Sequence, residues 1–277
     1  MPTLEGPAGT IYYETAGGAW GDPTVLVHGS WVDHRSWARV VPSLAQGLHV
    51  ITYDRRGHGG SSGARRERPV RDDASDLARL LESIDLFPAH VVGHSYGGAV
   101  ALRLAVDRPE LVRSVAVHEP PFLGLLPEDD PMADEASRAR ADVRRLQARV
   151  RTGDLDGAAR EFVDRFSPDL GEWDRLDPTV HGQLARNAER WAEELDDPEA
   201  MCPSRTGISG LDIPVLLTSG ERSSPLFHGI EAELLRTLRN ASARRLPACG
   251  HAPHLTHPEM YVGVLAMFLL EREVPPT

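Results

Sequence analysis

Short apolar runs recur along this chain, and charged segments with helical spacing fill the gaps between them. Runs at 24–27, 50–53, 90–92, 112–117 and 214–218 are dominated by Val, Leu and Ile. Uninterrupted apolar runs of this length predict strands buried on both faces. A last strand is expected at 243–246, and 10–14 reads as one arm of an N-terminal hairpin. Between the strands, 71–81 carries apolar residues at helical spacing with acids in its first turn, and 258–272 predicts a C-terminal helix. Strands alternating with helices predict an α/β class with a mostly parallel sheet covered on both faces.

The alternation breaks once. From 122 to 210 no strand is expected, and charged helical sequence at 133–151, 155–166 and 178–195 is punctuated by Pro and Gly. The chain therefore divides into a core of 1–121 and 211–277 and a helical insertion of 122–210. An insertion of that size leaving a strand end reads as a lid over a site. No internal repeat, linker or low-complexity segment interrupts this plan.

At 277 residues and 41% hydrophobic, the chain can bury one large core. It has no apolar stretch of about 18 residues, so no membrane span is expected. The first residues lack the basic-then-apolar order of a signal peptide, and two cysteines, Cys202 and Cys249, imply no disulfide framework. A cytoplasmic protein is the simplest expectation. The net charge of −11 disfavours nucleic acid as a partner. All thirty basic residues are arginine, which excludes lysine Schiff-base or general-base chemistry.

The sharpest chemical signal is Gly93-His94-Ser95-Tyr96-Gly97-Gly98, between the 90–92 run and a helical segment. A serine flanked by glycines at a strand-to-helix turn is the G-x-S-x-G nucleophile elbow, whose tight turn lifts the hydroxyl clear of the backbone. Such a nucleophile needs a base, a group that orients the base, and donors for an oxyanion. His251, directly after Gly250 and behind the last predicted strand, is the expected base. His254 and His257 share its loop, but Pro253 and Pro258 break any helix that would align the three as metal ligands, so no metal or other cofactor is called for. The amides of Tyr96 and Ser30 are the expected oxyanion donors, with Gly29 giving the backbone room. His28 is expected to hold that loop.

Taken in order, the strand ending in His28-Gly29, then Tyr53-Asp54-Arg55-Arg56-Gly57-His58-Gly59, then the elbow, then Gly250-His251, resemble the α/β-hydrolase superfamily. The resemblance covers nearly the whole chain except the insertion. It implies an eight-stranded, mostly parallel sheet flanked by helices, and a triad in the order serine, acid, histidine. It makes 55–59 a structural turn.

One position departs from the pattern. The family usually carries its acid after the strand that follows the lid, as Gly-x-x-Asp; here Gly220-Glu221-Arg222-Ser223 puts serine there. Two carboxylates could substitute. Glu119, in His118-Glu119-Pro120-Pro121, stands at a strand end beside the nucleophile's strand, where such sheets build their sites. Lactonases that open the fungal toxin zearalenone are similar in carrying an acid there. Glu221 is the second candidate. A third reading leaves the triad without an acid.

The expected reaction is cleavage of an ester or lactone through an acyl-enzyme, on a medium-sized, mainly apolar small molecule. A carbon–carbon bond hydrolase or cyclase on the same triad is the alternative, and a non-catalytic binding protein of the same fold is the alternative of another class. Trp31, Phe122, Leu123, Trp173 and Trp191 are the expected substrate contacts.

Overall fold

The structure is a computed structural model that describes residues 2–63, 69–127, 131–171 and 173–270. Its strands are β1 (Thr3–Gly6), β2 (Gly9–Ala16), β3 (Asp22–Val27), β4 (Leu48–Tyr53), β5 (Ala89–His94), β6 (Val112–His118), β7 (Val215–Gly220) and β8 (Ala241–Leu246). They form one eight-stranded sheet in the order β1-β2-β4-β3-β5-β6-β7-β8. The β1–β2 and β2–β4 pairs are antiparallel, and every later pair is parallel. This is the sheet that the resemblance implies. The 10–14 segment finds its hairpin partner in β1, which is too short and polar to stand out in the sequence.

The helices in chain order are α1 (Val41–Leu44), α2 (Pro69–Ser83), α3 (Tyr96–Asp107), α4 (Ala133–Arg151), α5 (Leu155–Phe166), α6 (Pro178–Glu194), α7 (Arg205–Ser209), α8 (Pro225–Thr237), α9 (Pro253–Thr256) and α10 (Pro258–Leu270). Residues 271 and 272 of the expected C-terminal helix lie outside the described residues. The expected 178–195 helix ends one residue early.

Period-two geometry explains the two cores. Val25, Val91 and Val115 are register partners on one face, packed with Leu77 and Leu81 of α2, Val100 and Leu104 of α3 and Leu234 of α8. The next residues along, Leu26, Val92, Ala116 and Leu216, turn to the other face. There they meet Trp37, Leu44 of α1, and Tyr261 and Leu265 of α10. The strands are apolar on both faces because both faces are covered.

Among the described residues, the stretch between β6 and β7 contains helices and turns but no strand. Helices α4, α5 and α6 close a third apolar cluster of their own, around Leu146, Val163, Leu184 and Trp191, which Trp31 of the core joins. A buried ion pair ties this layer to the sheet. The Arg55 guanidinium, wholly buried after β4, lies 2.8 Å from Asp73 of α2 and 2.6 Å from Glu194 at the end of α6. Burial opposes its charge, but the two carboxylates hold it ionised. Removing one partner of such a pair is costly because it leaves a buried charge under-compensated.

Helix α3 approaches the sheet more closely than a side chain would allow at Gly97. A Cβ there would lie 2.2 Å from the Val27 carbonyl oxygen, against 3.3 Å from the Val117 Cβ for one at Gly98. We therefore expect Gly97→Ala to lose about 3 kcal/mol or more, and Gly98→Ala to stay within about 1 kcal/mol of wild type. Denaturant unfolding of the two variants checks this; equal losses would contradict it.

Candidate active site

The carboxyl ends of β3, β5, β6, β7 and β8 converge on one crevice, as parallel sheets of this kind arrange their sites. Ser95 follows β5 with φ 53°, ψ −122°, directly before α3. Glu119 follows β6 and also has a positive φ, 46°. Positive φ is uncommon for residues with side chains, and two instances side by side mark a backbone held against its preference. The holding bonds are visible. The Ser95 N–H donates to the His118 carbonyl at 2.8 Å, and the Glu119 N–H donates to the Thr218 carbonyl at 3.2 Å. The Ser95 turn and the Glu119 turn are thus stitched to each other and to β7.

The glutamate carboxylate is clamped at both oxygens. Oε1 accepts the Gly220 N–H at 2.7 Å, and Oε2 accepts from His251 Nδ1 at 2.7 Å. Burial alone would raise this carboxyl. The neighbouring His118 imidazole and the His251 hydrogen bond outweigh burial and lower it from 4.5 to about 2. With Nδ1–H donated to Glu119, a neutral His251 ring carries its lone pair on Nε2. Phe227 stacks on that ring at 5.0 Å and 15°, and the His251 carbonyl accepts from His94 Nε2 at 2.7 Å.

Glu221 is occupied elsewhere. Its Oε2 accepts the Ala248 N–H at 2.9 Å and so braces the turn before His251. Ser223 stands beside Glu119's partner Gly220: a Cβ on that glycine would lie 2.7 Å from the Ser223 hydroxyl. The usual acid position and Glu119 therefore border the same small space, and a carboxylate from β6 already fills it.

The loop after β3 is fixed by its carbonyls. Arg55 Nη2 donates to the Gly29 oxygen at 3.0 Å, and His58 Nε2 bonds the Ser30 oxygen at 3.0 Å. In a trans peptide the N–H points opposite to its C=O, so the Ser30 N–H points away from Arg55. His28 accepts the Arg55 N–H at 3.0 Å, the structural role expected of it. The Tyr96 N–H is at the first turn of α3, where amides lack intrahelical partners.

Ser95, His251, Ser30 and Tyr96 line a cavity of about 90 Å³, together with Leu123 and Trp191. Trp31 lines a smaller adjoining cavity that Ser95 and His251 also border. Two expected substrate contacts are corrected. Phe122 lines neither cavity and packs toward Val70 and Ala99 behind α3; Trp173 lines neither and stacks on His181 at 4.2 Å. Both are large apolar residues spent on packing. Sequence reasoning missed Phe162, Phe166, Phe227 and Glu194, all of which line the larger cavity. The i, i+4 spacing of Phe162 and Phe166 in a helix was a usable signal; nothing local marked Glu194.

A broad open groove of about 1070 Å³, bordered by Tyr12, Asp33, Arg186 and Arg190, includes neither Ser95 nor His251. Asp33, His34 and Asp54 offer ligand-type atoms within 4.8 Å of one another there. Their atoms already have partners: His34 Nδ1 lies 2.7 Å from Asp54, and Arg35 Nε donates to Asp33 at 3.0 Å.

A model described as alpha/beta hydrolase family matches residues 24–264. The chain belongs to that family. It is 34% identical over 164 residues to the uncharacterized hydrolase YraK of Bacillus subtilis, covering 56% of this chain and 60% of YraK. It is 25% identical to the pyrrolizixenacetamide deacetylase of Xenorhabdus hominickii across 92% of this chain and 93% of that one. The enol-lactonase of Burkholderia xenovorans LB400 superposes with a TM-score of 0.76 over 98% of this chain and 100% of that one. At 21% identity that likeness shows the shared fold alone.

Because the folded-state value of Glu119 is depressed, its contribution to stability is present above about pH 4.5 and is lost as pH falls toward about 2. The difference corresponds to about 3 kcal/mol. Wild type should lose roughly that much more stability than Glu119→Gln between pH 5 and pH 2, measured by denaturant unfolding. Parallel losses would contradict the buried ion.

Proposed function

We propose that the protein is a serine hydrolase that cleaves a carboxylic ester or lactone through an acyl-enzyme. The observation that carries this reading is the 2.7 Å hydrogen bond between Glu119 and His251, made where His251 and the elbow serine Ser95 border the same cavity. A nucleophile, a histidine in the right tautomer and an anion to hold it there are the parts that acyl transfer needs.

In the first half-reaction His251 Nε2 takes the Ser95 proton as Oγ attacks the carbonyl carbon. The oxyanion is held by the amides of Ser30 and Tyr96, whose preset orientation costs no reorganisation at the moment of reaction. His251 then protonates the departing alkoxide. Water repeats the cycle on the acyl-enzyme, and Glu119 stabilises the imidazolium in both halves without taking its proton. The cavity walls, with Leu123, Phe166, Met201 and Trp191, favour an apolar acyl chain. The insertion supplies much of that wall, which supports its reading as a lid. A binding protein without turnover would not need the charge that Glu119 keeps buried behind His251, and this favours an enzyme.

Intact-mass analysis with a fluorophosphonate should give one adduct on wild type and none on Ser95→Ala. Glu119→Gln should lower kcat by up to ~10⁴-fold with KM little changed, since it spoils the tautomer and leaves the cavity intact. Glu221→Gln should remain within a few-fold of wild type. Near-full activity in Glu119→Gln, or an adduct on Ser95→Ala, would overturn the reading.

A further inference from the structure

Glu119 stands between two imidazoles. His251 donates to Oε2, and His118, the residue before Glu119 at the end of β6, brings its Nε2 to 3.7 Å from Oε1. In a regular strand consecutive side chains point to opposite faces. The positive φ of Glu119 ends that alternation, and both side chains enter one wholly buried space. A buried carboxylate that stays ionised needs a counter-charge as well as donors. The Gly220 amide supplies none, and His251 is neutral while it waits to take a proton. Burial raises the Glu119 carboxyl, and His118 leads the groups that lower it. The side chain placed to balance this charge is therefore His118.

The hydrogen bonds around His118 fix one of its protons. Thr218, its register partner on β7, donates through Oγ1 to the Val117 carbonyl at 3.2 Å. A hydroxyl has a single proton, so Oγ1 meets His118 Nδ1 as the acceptor, at 3.0 Å, and Nδ1 carries hydrogen. In a neutral ring Nε2 would then turn a lone pair toward Glu119 Oε1. A second proton, on Nε2, replaces that repulsion with attraction between opposite charges. The other titratable groups that face the ring bring no countering charge. His94 of β5, 6.0 Å away between ring centroids, is held well below its usual range by burial, with His254, His251 and His118 adding to the effect. His254 of α9 is lowered to about 3 by burial and then by His118 and His251. Tyr261 of α10, 5.8 Å away, is raised by burial above the usual phenol range. His251 itself lies 6.3 Å away.

We propose that His118 is a positioning residue that acts on His251 through Glu119: it carries protons on both ring nitrogens and pairs with the carboxylate as an imidazolium. Glu119 then has less negative charge with which to hold a proton on His251. The proposal rests on the acyl-transfer reading above. In that reaction the serine proton still passes to His251 Nε2 and on to the departing oxygen, and His118 keeps both of its own protons throughout. Its charge shifts the balance at His251. An imidazolium 6.3 Å from a second imidazole disfavours charging the second one, so His251 remains a base at lower pH than Glu119 alone would permit. The carboxylate can thus be buried and ionised without trapping His251 in its protonated form.

The test is the pH profile of kcat/KM on p-nitrophenyl butyrate for wild type and His118→Asn. The asparagine amide keeps a donor for Thr218 and has no proton to gain. With the cation gone, the midpoint of the acid limb should move up by about one to two pH units, the order expected of a unit charge at that separation and the effective dielectric of proteins. A midpoint that stays put would overturn the proposal, whatever happens to the plateau, because a purely structural role lowers the plateau alone. If His118→Asn does not fold, nitrogen-15 NMR of histidine-labelled wild type decides. His118, assigned through the β6 backbone, should carry two ring protons near neutral pH; a single ring proton overturns the proposal. If the ester does not turn over, the rate of fluorophosphonate labelling of Ser95 is followed against pH, with the same shift expected. Absence of any adduct on wild type would instead remove the acyl-transfer reading on which the role of His118 depends.

Discussion

A single buried carboxylate organises this site. Glu119 accepts from His251 with one oxygen and from the Gly220 amide with the other, and so joins the ends of β6 and β7 to the loop after β8. An isolated carboxylate at that depth would be expelled or protonated. Here the surrounding donors and imidazoles outweigh burial, and the group stays ionised far below neutral pH. The backbone shares the cost. Ser95 and Glu119 both adopt positive φ at neighbouring strand ends, and the bond from the Ser95 amide to the His118 carbonyl couples the two turns. Ser95, His251 and Glu119 are therefore positioned by one hydrogen-bonded seam across three parallel strands.

A second buried charge plays a matching part on the other side of the cavity. Arg55 pins the carbonyls of His28 and Gly29, which orients the peptide of Ser30, and it also binds Glu194 of α6. One guanidinium thus fixes the loop after β3 and fastens α6 to it. Planar, multidentate arginine suits this task in a way that a point charge would not. The placement of α6 beside the cavity and the orientation of the Ser30 amide consequently depend on the same side chain, and Glu194 borders an otherwise largely apolar cavity wall.

The sheet was legible because its strands are apolar on both faces and its turns carry strong local chemistry. Gly93, Ser95 and Gly97 marked the strand-to-helix turn, and the serine at 223 directed attention to Glu119 and Glu221. Of the two candidate carboxylates, Glu119 lies against His251, whereas Glu221 binds the Ala248 amide. What escaped reading depended on long-range packing. Trp173 and Phe122 are apolar and near the site in sequence terms, but whether such a ring lines a cavity or fills a core is decided by neighbours that no periodicity reveals. Glu194 pairs with an arginine 139 residues away.

The most direct test of the Glu119 seam is proton NMR of histidine-labelled protein, following the exchange-protected, low-field resonance of the His251 Nδ1–H. A proton shared with a buried carboxylate should give that signal in wild type and in Glu221→Gln, and lose it in Glu119→Gln. A resonance that survives Glu119→Gln and disappears in Glu221→Gln would contradict the account at its centre.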